Sequence, residues 1–363
     1  MRARADPVSD GESPLNALRF TRLAAALVVA LTVTAAPAIT VDWVTVGDPG
    51  NAADTTGDPN PAGAVADSFR IMKYEFTNQQ YTAFLNSVAA TDTHSLYNAS
   101  MGSDVRGGIT QSGTSGGYTY AVKPNMGDKP VNFVSWFDAA RVANWLMNGA
   151  TSSSNTETGA YTLSGSTSGN APAVNPGATF FIPTENQWYK AAYYKGGSPN
   201  AGYWNFGTQS DTPPAAVNAT TVGIGMAGGV SPVTSGNLAN YGLVADWNGQ
   251  DGNVTTVGTN GGPSAYGAFD MSGNLWEWND LAGVGGSTIG RRGGDFWSNY
   301  LQMMAAARGT SDPSSEFILY GFRLAGSVSG PSGVPEIDPV GLGSVLALVT
   351  GVLGLLERPR SRR

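Results

Sequence analysis

The stretch from Tyr266 to Asp280, Tyr-Gly-Ala-Phe-Asp-Met-Ser-Gly-Asn-Leu-Trp-Glu-Trp-Asn-Asp, constrains the fold of this chain more than any other. Gly273 and Asn274 both tolerate a positive φ, so they predict a tight turn at its centre. A turn that folds the flanks together would bring the carboxylates of Asp270 and Glu277 close, and such hard oxygen ligands suit Ca²⁺. The alternative is a structural hairpin whose indole rings are buried in a core.

The composition favours a fold dominated by loops. Glycine accounts for 49 of the 363 residues, and charged residues for 13%, about half of their usual share. The sequence therefore predicts many turns and little charged helix surface. The net charge is -7, and no basic stripe exists outside the two ends, which argues against nucleic acid as a partner.

Cysteine is absent, and His94 is the single histidine. Disulfides, thiol nucleophiles, Cys or His zinc sites and iron–sulfur clusters are thereby excluded. A Ser-His-Asp triad would have to use His94. Because this residue lies in a polar run at 91–95, we expect a loop residue rather than a catalytic base.

The N-terminal segment has the pattern of an export signal. Arg19 and Arg22 precede an uncharged run at 23–36, and Ala36-Pro-Ala38 supplies a small-residue cleavage site. We therefore predict a secretory signal peptide over residues 1–38, against the alternative of a core helix.

The C-terminal segment, residues 328–363, has three parts in a recognisable order. Val334-Pro-Glu-Ile-Asp-Pro339 precedes an apolar run at 340–356, which is followed by a basic tail. The run is at the short end of the length that spans a membrane. This order resembles the PEP-CTERM sorting signal, although Ile337 and Asp338 interrupt the usual Val-Pro-Glu-Pro. The resemblance implies export to the bacterial envelope or beyond, transient membrane anchoring and processing by an exosortase-type enzyme. A plain C-terminal anchor is the alternative.

Between these ends we predict one domain at 39–327, with strands at 39–46 and 69–76. Three helix starts carry capping boxes: Thr77 to Gln80, Ser135 to Asp138 and Thr184 to Gln187. The second box is the weakest, because Asp replaces Glu or Gln. Helical periodicity fades after Gly196, which predicts mostly irregular backbone with short strands.

Six blocks of this domain resemble, in order, the sulfatase-modifying factor or formylglycine-generating enzyme family: residues 74–81, 129–139, 182–188, 267–278, 292–294 and 321–323. The resemblance implies an α+β fold that is compact and loop-rich, an elaborated C-type-lectin-like architecture with little regular secondary structure.

The same resemblance places the family's two copper-binding cysteines near Ser298 and Met303. Neither residue supplies the thiolate that Cu(I) requires, so copper and formylglycine generation are not expected here. The three-histidine iron site of other family branches cannot be built from one histidine. No catalytic residue is therefore predicted.

The family's structural calcium sites have counterparts in this chain. The resemblance implies that the first site would use the side chains of Asp270 and Glu277 and the carbonyls of Gly273 and Leu275. The second would use the residues Asn240, Tyr241, Asp251 and Asn253, the second and last through their carbonyls, with Asp246 as a competing ligand.

These observations favour an exported, non-catalytic module, stabilised by Ca²⁺, that binds an extracellular glycan or peptide where the enzymes bind substrate. Aromatic residues between Tyr193 and Phe206 are expected to be exposed and to contribute to that surface. One alternative is a divergent enzyme that uses Asp295 or Asp312 beside Arg308; another is a structural matrix component. We expect the arginines of the closing blocks, Arg292, Arg308 and Arg323, to form structural ion pairs rather than a ligand clamp.

Overall fold

The computed structural model of the chain describes residues 39–281 and 285–328. The predicted signal peptide and the apolar run at 340–356 lie outside the described residues. The described residues fall in one compact unit, and no helix among them is long and apolar enough to cross a membrane.

Three of the α-helices begin at the predicted capping boxes. Each box is complete, including the one at Ser135, where the Asp138 side chain accepts a hydrogen bond from the Ser135 backbone N–H at 2.8 Å. Asp138 therefore replaces the longer Glu or Gln without loss of the second hydrogen bond. The helices are α1 (Asn78–Val88), α2 (Ser100–Ser103), α3 (Trp136–Met147) and α4 (Glu185–Tyr193), with a 3₁₀-helix at Tyr300–Met303.

The strands are short, as the glycine content predicts. They are β1 (Trp43–Val46), β2 (Phe69–Met72), β3 (Ile109–Ser112), β4 (Thr119–Val122), β5 (Phe180–Phe181), β6 (Ala215–Ala216), β7 (Asn218–Ala219), β8 (Gly225–Met226), β9 (Leu238–Ala239), β10 (Trp276–Asn279), β11 (Ile289–Arg292), β12 (Gly309–Ser311), β13 (Tyr320–Gly321) and β14 (Ala325–Ser327). Both predicted N-terminal strands form, but each is shorter than its pattern suggests.

Two four-stranded sheets organise the domain. The first has the order β1-β2-β14-β5 and joins the start of the domain to its end through antiparallel pairs. The second has the order β12-β11-β10-β13, in which only the β10–β13 pair is parallel. Three two-stranded ladders, β3-β4, β6-β9 and β7-β8, lie among the loops.

The turn at the centre of the 266–280 stretch is confirmed, but the hairpin is wrong. Gly273 and Asn274 have φ values of 83° and 66°. The strand after the turn, β10, pairs with β11 and β13 rather than with residues that precede the turn. Strand β10 is buried on both faces and has a strand partner along each edge.

Candidate ligand-binding surface and buried carboxylate cluster

Glu277 of β10 forms a buried ion pair with Arg323. The Arg323 Nε and Nη2 atoms donate to the two Glu277 carboxylate oxygens, each at 2.6 Å, and both side chains are 0% exposed. The Trp188 indole of α4 donates to Glu277 at 2.8 Å. This bidentate geometry is the strongest form of a charge-assisted hydrogen bond, so the pair joins the second sheet to α4 and the closing segment.

Two further carboxyl groups lie beside this pair. Asp270 accepts from the Asn260 side chain at 2.8 Å and from the Gly258 N–H at 2.5 Å. Glu75 accepts from the Asn274 side chain at 2.7 Å. Burial, followed by the neighbouring Asp270 and Glu277 charges, raises the pKa of Glu75 well above its usual range. Burial likewise raises the pKa of Asp270. Three buried carboxyl groups therefore lie around a single arginine, and burial favours the neutral forms of Glu75 and Asp270.

In the first predicted calcium set, the side chains of Asp270 and Glu277 are directed to protein donors. The Glu277 oxygens face Arg323, and those of Asp270 face protein donors. Among the residues of 39–281 and 285–328, no three acidic or histidine side chains are grouped to hold a metal. The excess of buried carboxyl groups over cationic side chains offers hard oxygen ligands for a divalent cation, whereas the oxygens of Asp270 and Glu277 already accept hydrogen bonds from protein donors. Calcium at these residues stays a prediction.

The second predicted set is spread over a wider region. The Asn240 side chain donates to the Asn253 carbonyl at 2.8 Å, and its buried Oδ1 has no hydrogen-bond partner among the described residues. Asp251 is exposed, and its carbonyl accepts from Arg106 at 3.0 Å. Asp246 caps the Gly252 N–H at 2.8 Å. Asn240 thus offers an unpaired ligand oxygen, but the acid expected beside it is directed to solvent.

Ser298 and Met303, at the positions of the family's cysteines, have different surroundings. The Ser298 hydroxyl donates to Asp295 at 2.6 Å, and the other Asp295 oxygen accepts from the Trp297 and Ser298 N–H groups at 2.7 and 2.9 Å. Burial raises the pKa of Asp295. Met303 is buried in an apolar cluster with Phe206. Met303 is therefore a core residue, and Asp295 is a buried carboxyl group that organises its own loop.

Beside Asp295 lies a surface that the sequence patterns did not reveal. The Arg291 guanidinium lies 4.0 Å from the centroid of the Tyr320 ring and 5.4 Å from that of Trp276, and Phe317 packs on Tyr320 at 5.5 Å. Trp297 is 53% exposed and Phe317 is 51% exposed. We call Trp276, Arg291, Trp297, Phe317 and Tyr320 the aromatic surface. The Trp276 side chain also hydrogen bonds to Asp295, which connects the surface to the Ser298 loop.

Two features give the aromatic surface the character of a binding site. The exposed Trp297 and Phe317 rings are large apolar groups, which folding normally buries. The buried Nε of Arg291 has no hydrogen-bond partner among the described residues, and the Arg106 guanidinium lies 6.0 Å from the Trp297 ring centroid. Rigid aromatic rings beside arginines are the residue types that dominate binding energy at interfaces. The missed signal was the alternation of Trp276, Glu277 and Trp278 along β10, which directs both indoles to one face.

The aromatic residues between Tyr193 and Phe206 were predicted to be exposed, and this prediction is wrong for most of them. Tyr193, Tyr194 and Phe206 are buried. Tyr193 packs edge-to-face on Tyr189 with ring centroids 4.9 Å apart, and Tyr194 packs on Tyr203 at the same distance. These rings fill the space around α4, because no long helix or strand is available to cover it.

The remaining charged candidates serve the structure. Arg308 pairs with Glu185 at 2.9 Å rather than with Asp312, and Arg292 pairs with the same Glu185 at 2.8 Å. Asp312 is exposed and caps the Ser314 N–H at 2.8 Å. His94 lies 3.3 Å from Glu157, and burial lowers its pKa. Asp312 therefore does not pair with Arg308. Of the two carboxyl groups named for a divergent enzyme, only Asp295 stays a candidate.

Several known proteins are similar to this chain. A family model described as a sulfatase-modifying factor enzyme 1-like domain matches residues 33–328. The crystal structure of CarF is 21% identical and covers 80% of this chain and 99% of its own, with a TM-score of 0.43. Variable protein 1 of Treponema denticola is 17% identical and covers 78% and 94%, with a TM-score of 0.40. PvdO from Pseudomonas aeruginosa is 15% identical and covers 80% and 93%, with a TM-score of 0.38. No curated protein matches the chain.

Proposed function

The chain belongs to the family of sulfatase-modifying factor enzyme 1-like domains, and on that premise we propose that it is an exported, non-catalytic protein that binds an extracellular ligand on its aromatic surface. The observation that carries the proposal is the exposure of Trp297 and Phe317, the first beside Arg106 and the second packed on Tyr320, which Arg291 contacts. A formylglycine-generating catalyst would need a thiolate near Ser298, and the chain contains no cysteine.

The chemistry of the surface favours a peptide over a glycan. Leu301 and Tyr300 follow Trp297 and are also exposed, so the region offers aliphatic as well as aromatic contacts. Arg106 and Arg291 supply hydrogen-bond donors suited to backbone carbonyls and carboxylates. A peptide that carries apolar and acidic side chains satisfies both kinds of group.

We expect Trp297→Ala to weaken binding of a selected peptide by about 2 kcal/mol or more, because truncation of a central aromatic contact typically costs this much. Peptide and glycan arrays probed with the full-length protein would identify the ligand, and isothermal titration would measure its affinity. Val230→Ala is the matched control, since Val230 is also exposed and lies outside the aromatic surface. Equal affinities for the wild type and the Trp297 variant would contradict the proposal.

We also propose that Ca²⁺ stabilises the domain, supported by the excess of buried carboxyl groups around Arg323 and by the unpaired Asn240 oxygen. A ligand that binds only the folded state stabilises it by about 2.7 kcal/mol at a concentration of 100 times its Kd. The melting temperature of the full chain is therefore expected to be higher in Ca²⁺ than in EDTA. Asp270→Asn should reduce this difference, whereas Asp312→Asn should preserve it. Identical melting temperatures in Ca²⁺ and EDTA would rule calcium out.

Asp295 supports a second candidate, a divergent enzyme with a carboxyl group in place of the cysteines. Its burial and raised pKa are properties of catalytic acids and bases. The hydrogen bonds that Asp295 accepts from its own loop favour the structural role. Turnover of a peptide bound at the aromatic surface, lost in Asp295→Asn with binding retained, would support the enzyme instead.

Export and processing remain proposals that rest on the sequence of the two ends. Mass spectrometry of the protein recovered from a bacterial envelope fraction tests them directly. We expect an N-terminus at Ile39 and the loss of the segment after 334–339. An intact chain in the cytoplasm would contradict both.

A further inference from the structure

A cavity of about 350 Å³ lies between the 174–178 loop, β5 and the start of α4. Its lining includes apolar side chains of Val174, Pro176, Ala178 and Phe181, together with Asp280. The volume is within the range of small-molecule sites, which are mostly apolar with a few placed polar groups. None of the residues that line the cavity belongs to the aromatic surface.

Asp280 is the unusual member of this wall. The residue is 1% exposed, and its Oδ1 atom has no hydrogen-bond partner among the described residues. None of the ion pairs formed by the described residues includes Asp280. A buried carboxyl oxygen without a partner is costly, and native structures rarely keep one without a reason.

No cationic side chain of the described residues pairs with the carboxyl group. Burial raises the pKa of Asp280 to about 7, and one backbone hydrogen bond, from Gly285, acts in the opposite direction. The Tyr161 hydroxyl, the nearby titratable group, accepts from the Ile182 N–H at 2.9 Å. A cation beside an apolar wall is the complement that this arrangement lacks.

We propose that this cavity binds an organic ammonium group on an apolar stem, with the ammonium paired to the Asp280 carboxylate and the stem against Phe181. The paired charge would satisfy the free oxygen, and the stem would be removed from water. The same chemistry is offered by a free amine and by a lysine side chain of a peptide.

Isothermal titration of the full chain with phenethylammonium and with Nα-acetyl-lysinamide tests the proposal and distinguishes these sources. We expect at least one of these amines to bind, and the tighter one shows whether the natural ligand is a free amine or a lysine side chain. The neutral analogue 2-phenylethanol is expected to bind at least tenfold more weakly than phenethylammonium. Asp280→Asn keeps the shape of the side chain and should weaken binding at least tenfold. Asp312→Asn, at an exposed acid, should leave it unchanged.

A second variant separates the cavity from the fold of the Asp280 loop. Ala178→Leu should reduce the space while keeping the carboxyl group, and should weaken binding at least tenfold. If Asp280→Asn does not fold, the affinity of Ala178→Leu for the amine still tests the proposal. Binding of neither amine, or amine binding that is unchanged in the variants, would overturn the proposal and leave an ordered water as the partner of Oδ1.

Discussion

Arg323→Met is expected to destabilise the folded protein by about 3–5 kcal/mol, the usual cost of leaving one partner of a buried ion pair uncompensated. Arg323 is fully buried and donates to both oxygens of Glu277 and to the Phe269 carbonyl at 2.8 Å. Its loss would leave the Glu277 carboxylate buried beside the carboxyl groups of Asp270 and Glu75, without the ion pair that Arg323 supplies. Urea unfolding of the full-length protein, followed by tryptophan fluorescence, measures the effect.

The double variant Glu277→Met/Arg323→Met is the control for this prediction. Removal of both charges is expected to cost less than the sum of the two single changes, because neither partner is then left unpaired. The Trp188 indole loses its acceptor in the double variant, so the rescue should be partial. If the double variant loses as much stability as the two single variants together, the interaction between Glu277 and Arg323 contributes nothing to stability.

Gly273→Ala is expected to be the second most damaging substitution, with a loss of stability of about 2–5 kcal/mol. A left-handed conformation costs a residue with a Cβ roughly 1–2 kcal/mol, and Gly273 has a φ of 83°. An added Cβ would also lie 2.3 Å from the Asn240 carbonyl oxygen. Because that contact is with backbone, the turn or the 240 segment would have to move, and forced packing of this kind costs about 1–3 kcal/mol more.

Gly116→Ala isolates the conformational part of this effect. Gly116 has a φ of 93°, and an added Cβ there meets no atom within 4 Å. Its loss is therefore expected to be about 1–2 kcal/mol, measured in the same urea titration. If the two variants lose equal stability, the close approach of the turn to Asn240 is not what requires glycine at position 273.

Local signals in the sequence predicted local structure well. Thr77, Ser135 and Thr184 start helices because each cap depends only on residues three positions away. Gly273 and Asn274 form the predicted turn because few other residue types adopt a positive φ. The fold class followed from the ordered family blocks, and the family match over residues 33–328 supports it.

Contacts between residues that are distant in sequence could not be predicted from local patterns. The acids of the central stretch were predicted as ligands of one ion, but Glu277 contacts Arg323 and Trp188, which lie 46 and 89 positions away. The aromatic rings between Tyr193 and Phe206 were predicted to be exposed, but most of them are buried by partners outside this segment or by one another. The exposed rings are instead Trp297 and Phe317, whose neighbours are set by the pairing of β10, β11 and β13.

Hydrogen exchange of the full-length protein, with and without the peptide selected on the array, tests ligand binding at the aromatic surface most directly. The bound peptide is expected to slow amide exchange at residues 291–298 and 317–320, which carry Arg291, Trp297, Phe317 and Tyr320 or lie beside them. Protection should be lost in Trp297→Ala and kept in Val230→Ala. Protection confined to other segments, or unaffected by the Trp297 substitution, would show that the ligand binds elsewhere and that this surface is not the functional site.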